Sequence, residues 1–249
     1  MFTAEERACL RSDLLTLAAD DGRISGGAIT GSAAEAGEDR WSDIDLAFGV
    51  RDAAGLPDVL ADWTARMYDR HRALHHLDVL SGAWTYRVFL LANTLQVDLA
   101  FVAGTEFRAL APTFQLVFGE ANQPRHASPP LAEALIGLGW LHALHARACI
   151  ARGKLWQAEY MIGGIRGHAL ALACVRHGLP AAHGRGMDLL PSEATAPFEG
   201  SLVRQLDIAE LSRAFRVAVH GLLAEIRSAD EELAERLHGA LTQLTEALG

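Results

Sequence analysis

The N-terminal part of the chain alternates apolar and polar positions in two ways, which together predict a unit of mixed helices and strands. Apolar residues at helical spacing predict helices over 3–19 and 57–69. Period-two alternation and short apolar runs predict strands over 24–30, 42–48, 76–81, 85–92 and 95–102. Asn93-Thr94, between the last two strands, predicts a hairpin turn.

A stretch rich in proline separates this part from a remainder whose pattern is helical. Residues 106–130 contain Pro112, Pro124, Pro129 and Pro130, and we interpret them as a linker that wraps between two units. After the linker, helical spacing interrupted by turn residues predicts a small bundle. Its helices are expected over 131–151, 155–177, a short piece after Pro191, 206–227 and 230–248.

Length and composition agree with two modest domains. The chain has 249 residues, of which 50% are hydrophobic and 21% are charged, as is typical of globular proteins. The predicted fold class is α+β. An N-terminal domain over 1–120 is expected to hold a small mixed β-sheet with flanking helices, and a C-terminal α-helical bundle is expected over 121–249.

The most apolar stretch predicts a buried helix and not a membrane span. Residues 131–150 include Glu133, His142, His145 and Arg147, which interrupt the hydrophobic run. The start of the chain does not resemble a signal peptide. Three widely spaced cysteines support neither a disulfide framework nor a zinc knuckle. We therefore expect a cytoplasmic protein with no membrane partner.

Charge is distributed unevenly along the chain. The formal net charge is −9, and residues 1–120 hold 10 basic and 18 acidic residues, a net charge of −8. An acidic half repels a phosphate backbone, so a long nucleic acid is not an expected partner. The same charge suits bound metal cations or a small cationic substrate. Lys154 is the single lysine among the 22 basic residues, which marks it as a candidate functional residue.

Three aspartates and a Gly-Ser pair form the most specific pattern. Asp43 and Asp45 lie two residues apart on a predicted strand, so their carboxylates share one side, and Asp98 has the same alternation on a later strand. Converging carboxylates raise one another's pKa, and a divalent cation relieves that repulsion. Oxygen ligands select Mg²⁺ or Mn²⁺. Gly31-Ser32 follows a strand and offers backbone N–H groups and a hydroxyl to a phosphate.

The order and spacing of these residues resemble the signature of the DNA polymerase β-like nucleotidyltransferase superfamily. In that signature a Gly-Ser pair precedes an Asp-x-Asp strand by about ten residues, and a third carboxylate lies on a later strand. Within the superfamily, the chain resembles the bacterial aminoglycoside and lincosamide nucleotidyltransferases, in which a helical bundle follows the catalytic domain. The resemblance implies transfer of a nucleoside monophosphate, which we expect to be AMP, from a nucleoside triphosphate to a hydroxyl, releasing pyrophosphate.

The resemblance also implies cofactors, site residues and partners. Two Mg²⁺ ions are expected on the three aspartates, with ATP or another nucleoside triphosphate as co-substrate. Gly31, Ser32 and Lys154 are expected to bind the triphosphate. The acceptor is expected to be a small molecule such as an aminoglycoside or a lincosamide, and the implied biological role is antibiotic resistance.

The segment that begins Gly-Lys-Leu-Trp resembles the opening of the helix that closes over nucleotide and acceptor in those enzymes. On this helix Glu159 is a candidate general base, in competition with Asp98, and its alternative role is an ion pair with Arg166. Trp156 and Tyr160 lie four residues apart and fit an aromatic wall for the acceptor, with Arg166 as a further contact. The same spacing is also typical of a pair of core residues.

An alternative interpretation places the chain among toxin–antitoxin proteins. The helical half would then resemble the HEPN fold, whose ribonucleases use an arginine and a histidine with four to six residues between them, a pattern that Arg213 and His220 fit with six. Such a protein acts on a protein or RNA partner. The identity of the acceptor, the nucleobase preference and the oligomeric state, with a homodimer among the options, stay open.

Overall fold

A computed structural model describes residues 1–35, 37–126 and 128–246. The chain divides into two compact units, Met1–Ala127 and Ser128–Gly249. The first unit is a sheet with flanking helices and the second is helical, so the predicted α+β fold class is confirmed.

The first unit is built around one six-stranded sheet. Its helices and strands are α1 (Ala4–Asp20), β1 (Ile24–Thr30), β2 (Ile44–Val50), α2 (Leu56–His71), β3 (Ala73–Ser81), β4 (Trp84–Leu91), β5 (Gln96–Ala103) and β6 (Phe114–Gly119). The strand order is β3-β4-β5-β2-β1-β6. The β2–β5 pair is parallel and the other neighbouring pairs are antiparallel.

Large side chains cover one face of the sheet. Phe48 of β2 and Phe101 of β5 are fully buried there and pack on Trp63 of α2, with ring centroids 5.1 and 5.8 Å from that indole. Leu46 and Leu99 belong to the same cluster. Because neighbouring strand residues point to opposite faces, this core directs Asp45 and Asp98 to the other face of the sheet.

The interpretation of 106–130 as a linker is wrong in its middle. Phe114–Gly119 forms strand β6, which pairs with β1 at the edge of the sheet. Backbone bonds continue beyond it, since the N–H of Asn122 donates to the carbonyl of Phe107 at 2.8 Å and that of Arg125 donates to the carbonyl of Ala109 at 2.9 Å. These bonds hold the chain to the first unit past residue 120, the expected domain boundary.

The second unit is a helical bundle. Its helices are α3 (Ala132–Ala151), α4 (Leu155–Arg176), α5 (Ser192–Glu199), α6 (Ile208–Ala229) and α7 (Glu231–Glu246). The predicted last helix ended at 248, and residues 247–249 lie outside the described residues. Close approach of α3 and α4 explains one mid-helix glycine, because a Cβ on Gly164 would collide with the imidazole of His142.

Helix α3 buries only one of its faces. Within the described chain it is the one helix that is long and apolar enough to span a membrane by length and composition. Leu135, Ala143 and Ile150 are buried in the bundle core, whereas Leu138 and Leu144 are exposed on its outer side. The sequence interpretation of a buried helix is therefore wrong for the outer face.

Candidate active site

The parallel pairing of β2 and β5 places two of the three aspartates side by side. Asp45 is directly opposite Asp98 in the register, flanked by the pairs Ile44–Val97 and Leu46–Leu99. Paired strands lie about 4.8 Å apart, so carboxylates on one face of such a pair are neighbours. Both aspartates are partly buried, whereas Ile44 and Leu46 are buried in the core below them.

Asp43 lies one residue before β2 begins, not within the strand as the sequence predicted. Its Oδ2 accepts a hydrogen bond from the side-chain amide of Gln96, the first residue of β5, at 3.1 Å. Gln96 is two residues from Asp98 on the same strand face. Gln96 was not among the predicted site residues, although period-two alternation from Asp98 points to it.

Among the three aspartates, Asp98 has a clearly raised pKa. Burial, and then the negative charge of Asp43, raise the pKa of Asp98 to about 6. Its Oδ1 is buried and has no hydrogen-bond partner among the described residues. A buried carboxylate oxygen beside a second negative charge is an environment that a bound cation stabilises.

The Gly-Ser pair lies against one of these carboxylates, that of Asp45, through Gly31. This residue opens a short 3-10 helix, Gly31–Glu35, with a φ of 65°, in the left-handed region that favours glycine. A Cβ at this position would also collide with Oδ2 of Asp45. Glycine is thus required twice, for its backbone conformation and for the close approach of the turn to Asp45. Ser32 follows directly and is partly buried.

A buried arginine from α1 holds the loop that leads into β2. Arg7 is only 4% exposed, and its Nη1 donates to the carbonyls of Asp39 at 2.6 Å and of Ser42 at 2.9 Å. Its Nε lies 3.1 Å from Oε1 of Glu38, an oxygen that also accepts from Arg11 at 2.6 Å. Because Ser42 precedes the first aspartate, Arg7 fixes the approach of the chain to the carboxylate cluster.

We expect Arg7→Met to lower the free energy of unfolding by about 2–3 kcal/mol, since it removes two hydrogen bonds from a buried charged donor and part of the ion pair with Glu38. Chemical denaturation with far-UV circular dichroism measures this change. Arg70→Met, which removes an exposed arginine from α2, is the matched control and should change stability by less than about 0.5 kcal/mol. Equal stability of the two variants would contradict the role of Arg7 in holding the loop before β2.

The remaining candidate residues lie on α4 of the second unit. Lys154 is the exposed residue that precedes this helix, and it lines a surface pocket together with Trp156 and Gln157. Trp156 is 77% exposed and Tyr160 is 69% exposed. The alternative of a core aromatic pair is therefore wrong, and both rings are available to a ligand.

Two arginines of the second unit are held by hydrogen bonds within it. Arg166 donates through Nη1 to the carbonyl of Ser201 at 3.0 Å, and in the described part of the chain no ion pair joins it to Glu159. Arg213, the arginine of the HEPN-like pattern, bonds to Glu210 and to the carbonyl of Leu202. These contacts tie Arg213 to the segment after α5.

The donors fit a hard cation, although they do not form a complete cage. Among the described residues there is no group of three His, Cys, Asp or Glu side chains that could hold a metal ion by itself. The expected three-carboxylate cage is thus not formed by the protein alone. Mg²⁺ is typically bound by one or two carboxylates plus water and substrate phosphates. The Asp45–Asp98 pair meets that requirement, and its oxygen donors favour Mg²⁺ or Mn²⁺.

Comparison with known proteins finds distant structural likeness but no match in sequence. No protein-family model matches the chain, and no curated protein matches it in sequence. Among solved structures, an aminoglycoside 6-adenyltransferase from Bacillus subtilis is similar, with a TM-score of 0.45 and 12% sequence identity over 100% of this chain and 99% of that chain. At this level, the likeness establishes neither the activity nor the substrates of this chain.

Proposed function

We propose that the protein is a Mg²⁺-dependent nucleotidyltransferase that moves a nucleoside monophosphate from a nucleoside triphosphate to a hydroxyl of a small acceptor. The observation that carries this proposal is the pairing of Asp45 with Asp98 on adjacent parallel strands, with the Gly31 turn packed against Asp45. Paired carboxylates next to a glycine turn provide cation and phosphate binding in one place.

Each part of the site has a distinct role in this reaction. Asp45 and Asp98, with Asp43 beside them, would hold the two expected Mg²⁺ ions together with the phosphate oxygens of the substrate. When bound, these ions polarise the α-phosphate and neutralise the leaving pyrophosphate. The backbone N–H and the hydroxyl of Ser32 are proposed to donate hydrogen bonds to the triphosphate, and Lys154 is proposed to add a positive charge to it.

The transfer makes one bond and breaks one. The acceptor oxygen attacks the α-phosphorus, the bond from that phosphorus to the bridging oxygen breaks, and pyrophosphate leaves with the electron pair. The hydroxyl proton passes to a general base, for which Glu159 and Asp98 are the two candidates. The raised pKa of Asp98 enables it to exchange a proton near neutral pH, provided that it is not occupied by a cation.

Charge and exposed aromatic rings support a small cationic acceptor such as an aminoglycoside, with a lincosamide as the alternative. The first 120 residues have a net charge of −8, which attracts a polycation and repels a polyanion. Trp156 and Tyr160 offer exposed rings that can contact a cationic or apolar acceptor. Arg166 is proposed as a further acceptor contact.

The test is Mg²⁺-dependent pyrophosphate release with each of the four ribonucleoside triphosphates against a panel of aminoglycosides and lincosamides. We expect release with at least one pair of substrates, and we expect Asp45→Asn to reduce it by about 100-fold or more, because even an outer-shell partner of a metal is worth 10- to 100-fold. Asp69→Asn, which changes an exposed carboxylate of α2, is the matched control. Activity retained in Asp45→Asn would reject the carboxylate assignment.

A further inference from the structure

A row of three alanines crosses the sheet beside the aspartates. Ala28 of β1 is opposite Ala47 of β2, Ala47 is opposite Ala100 of β5, and Ala100 is opposite Tyr86 of β4. The alanines lie on the same face as the carboxylates, because Ala47 and Ala100 each follow an aspartate by two residues. The other face of β2 and β5 carries larger side chains at the neighbouring positions, Leu46, Phe48, Leu99 and Phe101.

The small side chains leave a cavity of about 120 Å³ that opens to solvent. Ala47 and Ala100 form part of its lining, together with Thr30, which immediately precedes the glycine turn. Two residues along a strand correspond to about 7 Å. The cavity therefore begins about 7 Å from the carboxylates, a distance that a ribose can span. It lies within the first compact unit.

Aromatic rings form a continuous arc over the alanines. Trp84 lies 6.0 Å from Tyr86 and 6.3 Å from Phe107 between ring centroids, and Phe107 lies 5.7 Å from Phe114. Three of these rings, those of Trp84, Tyr86 and Phe114, line the cavity. Flat, polarisable walls of this kind favour a flat ring as the occupant.

The polar groups of the cavity indicate an uncharged ring with hydrogen-bonding edges. Thr30 and Thr113 contribute hydroxyls, and no acidic side chain lines the cavity among the described residues. Arg108 is the one charged lining residue there, and its Nη2 is already bonded to the carbonyl of Thr105 at 3.0 Å and to Glu106 at 3.2 Å. A neutral heteroaromatic ring matches this lining better than a charged group.

We infer that this cavity, walled by Trp84, Tyr86 and Phe114, receives the nucleobase of the nucleoside triphosphate. The inference rests on the proposed function and extends it by assigning the base to the alanine row of the sheet. In a nucleotide bound this way, the base stacks in the cavity, the ribose spans the gap, and the α-phosphate reaches Asp45 and Asp98. The cavity then sets the nucleobase preference.

Calorimetric titration with two Mg²⁺-bound probes tests the assignment. The first kind of probe is a ribonucleoside triphosphate, and all four are titrated in turn. The second is inorganic tripolyphosphate, which has no base. Ala100→Leu fills the cavity, and Phe114→Leu removes one aromatic wall. We expect each change to weaken nucleoside triphosphate binding by about tenfold or more, the lower end of what base stacking contributes. Tripolyphosphate binding should stay within about twofold.

A matched control and a second variant keep the outcomes distinct. Ala65→Leu makes the same change on the exposed surface of α2 and should alter neither titration. If Ala100→Leu does not melt cooperatively, Phe114→Leu decides the test. Unchanged nucleoside triphosphate affinity in a folded cavity variant would overturn this inference alone. If wild-type protein binds neither probe, the proposed function fails, and this inference fails with it.

Discussion

Asp98→Asn is expected to raise the free energy of unfolding by about 2–3 kcal/mol at pH 8 when divalent ions are absent. In the presence of Mg²⁺, the same substitution is expected to abolish nucleotidyl transfer. Burial and the charge of Asp43 raise the pKa of Asp98 from 3.8 to about 6, so the folded state holds this proton more tightly than the unfolded state. Each pKa unit corresponds to about 1.4 kcal/mol. The asparagine removes this cost because it never ionises.

The direction of the pKa shift determines the pH range over which Asp98 affects stability. A raised folded-state pKa means that the contribution of Asp98 to stability is fully present below pH 3.8 and is lost as the pH rises through about 6. In the presence of a chelator, the free energies of unfolding of wild type and variant should therefore nearly coincide at pH 4, separate progressively up to about pH 6 and differ by a constant amount from there to pH 8. Added Mg²⁺ should stabilise wild type more than the variant. A variant less stable than wild type at pH 8 would contradict the electrostatic account.

Gly31→Ala is expected to abolish nucleotide binding, whereas Gly82→Ala is expected to leave it intact. The two glycines have similar positive φ values, 65° and 58°, so each alanine costs about 1–2 kcal/mol in backbone strain. A Cβ at Gly31 would meet the Asp45 carboxylate, while one at Gly82 would meet nothing within 4 Å. The pair of variants thus separates backbone strain from displacement of Asp45.

Unfolding curves and calorimetry with a Mg²⁺–nucleoside triphosphate measure the two parts of this comparison. The account predicts that both variants lose a similar amount of stability and that only Gly31→Ala loses nucleotide binding. That result would support close packing of the Gly31 turn on Asp45. Nucleotide binding of equal strength in both variants would show that contact with Asp45 is not needed for the site.

The sequence was informative wherever local pattern and burial agree. Strand β1 has the predicted bounds, and the Asp-x-Asp alternation correctly placed Ile44 and Leu46 in the core. The pairing of Asp45 with Asp98 depends on a parallel register between distant segments. Alternation indicated which face each aspartate takes, but the register itself is set by packing across the sheet.

Long-range features were not visible in the sequence. Strand β6 was missed because it is a short segment between prolines, and its pairing with β1 is what makes it a strand. The Arg7 clamp joins α1 to a loop more than 30 residues later, and an arginine on a helix is ordinarily a surface residue. On α4, helical spacing alone could not decide whether Trp156 and Tyr160 are buried or exposed.

Binding of Mn²⁺ in the presence of a non-hydrolysable nucleoside triphosphate, followed by electron paramagnetic resonance, tests the central claim most directly. We predict that wild-type protein and Asp69→Asn bind Mn²⁺ with the nucleotide, and that Asp45→Asn and Asp98→Asn each lose about tenfold or more in affinity. Equal Mn²⁺ affinity in wild type and in both site variants would contradict the assignment of these two aspartates as the cation site.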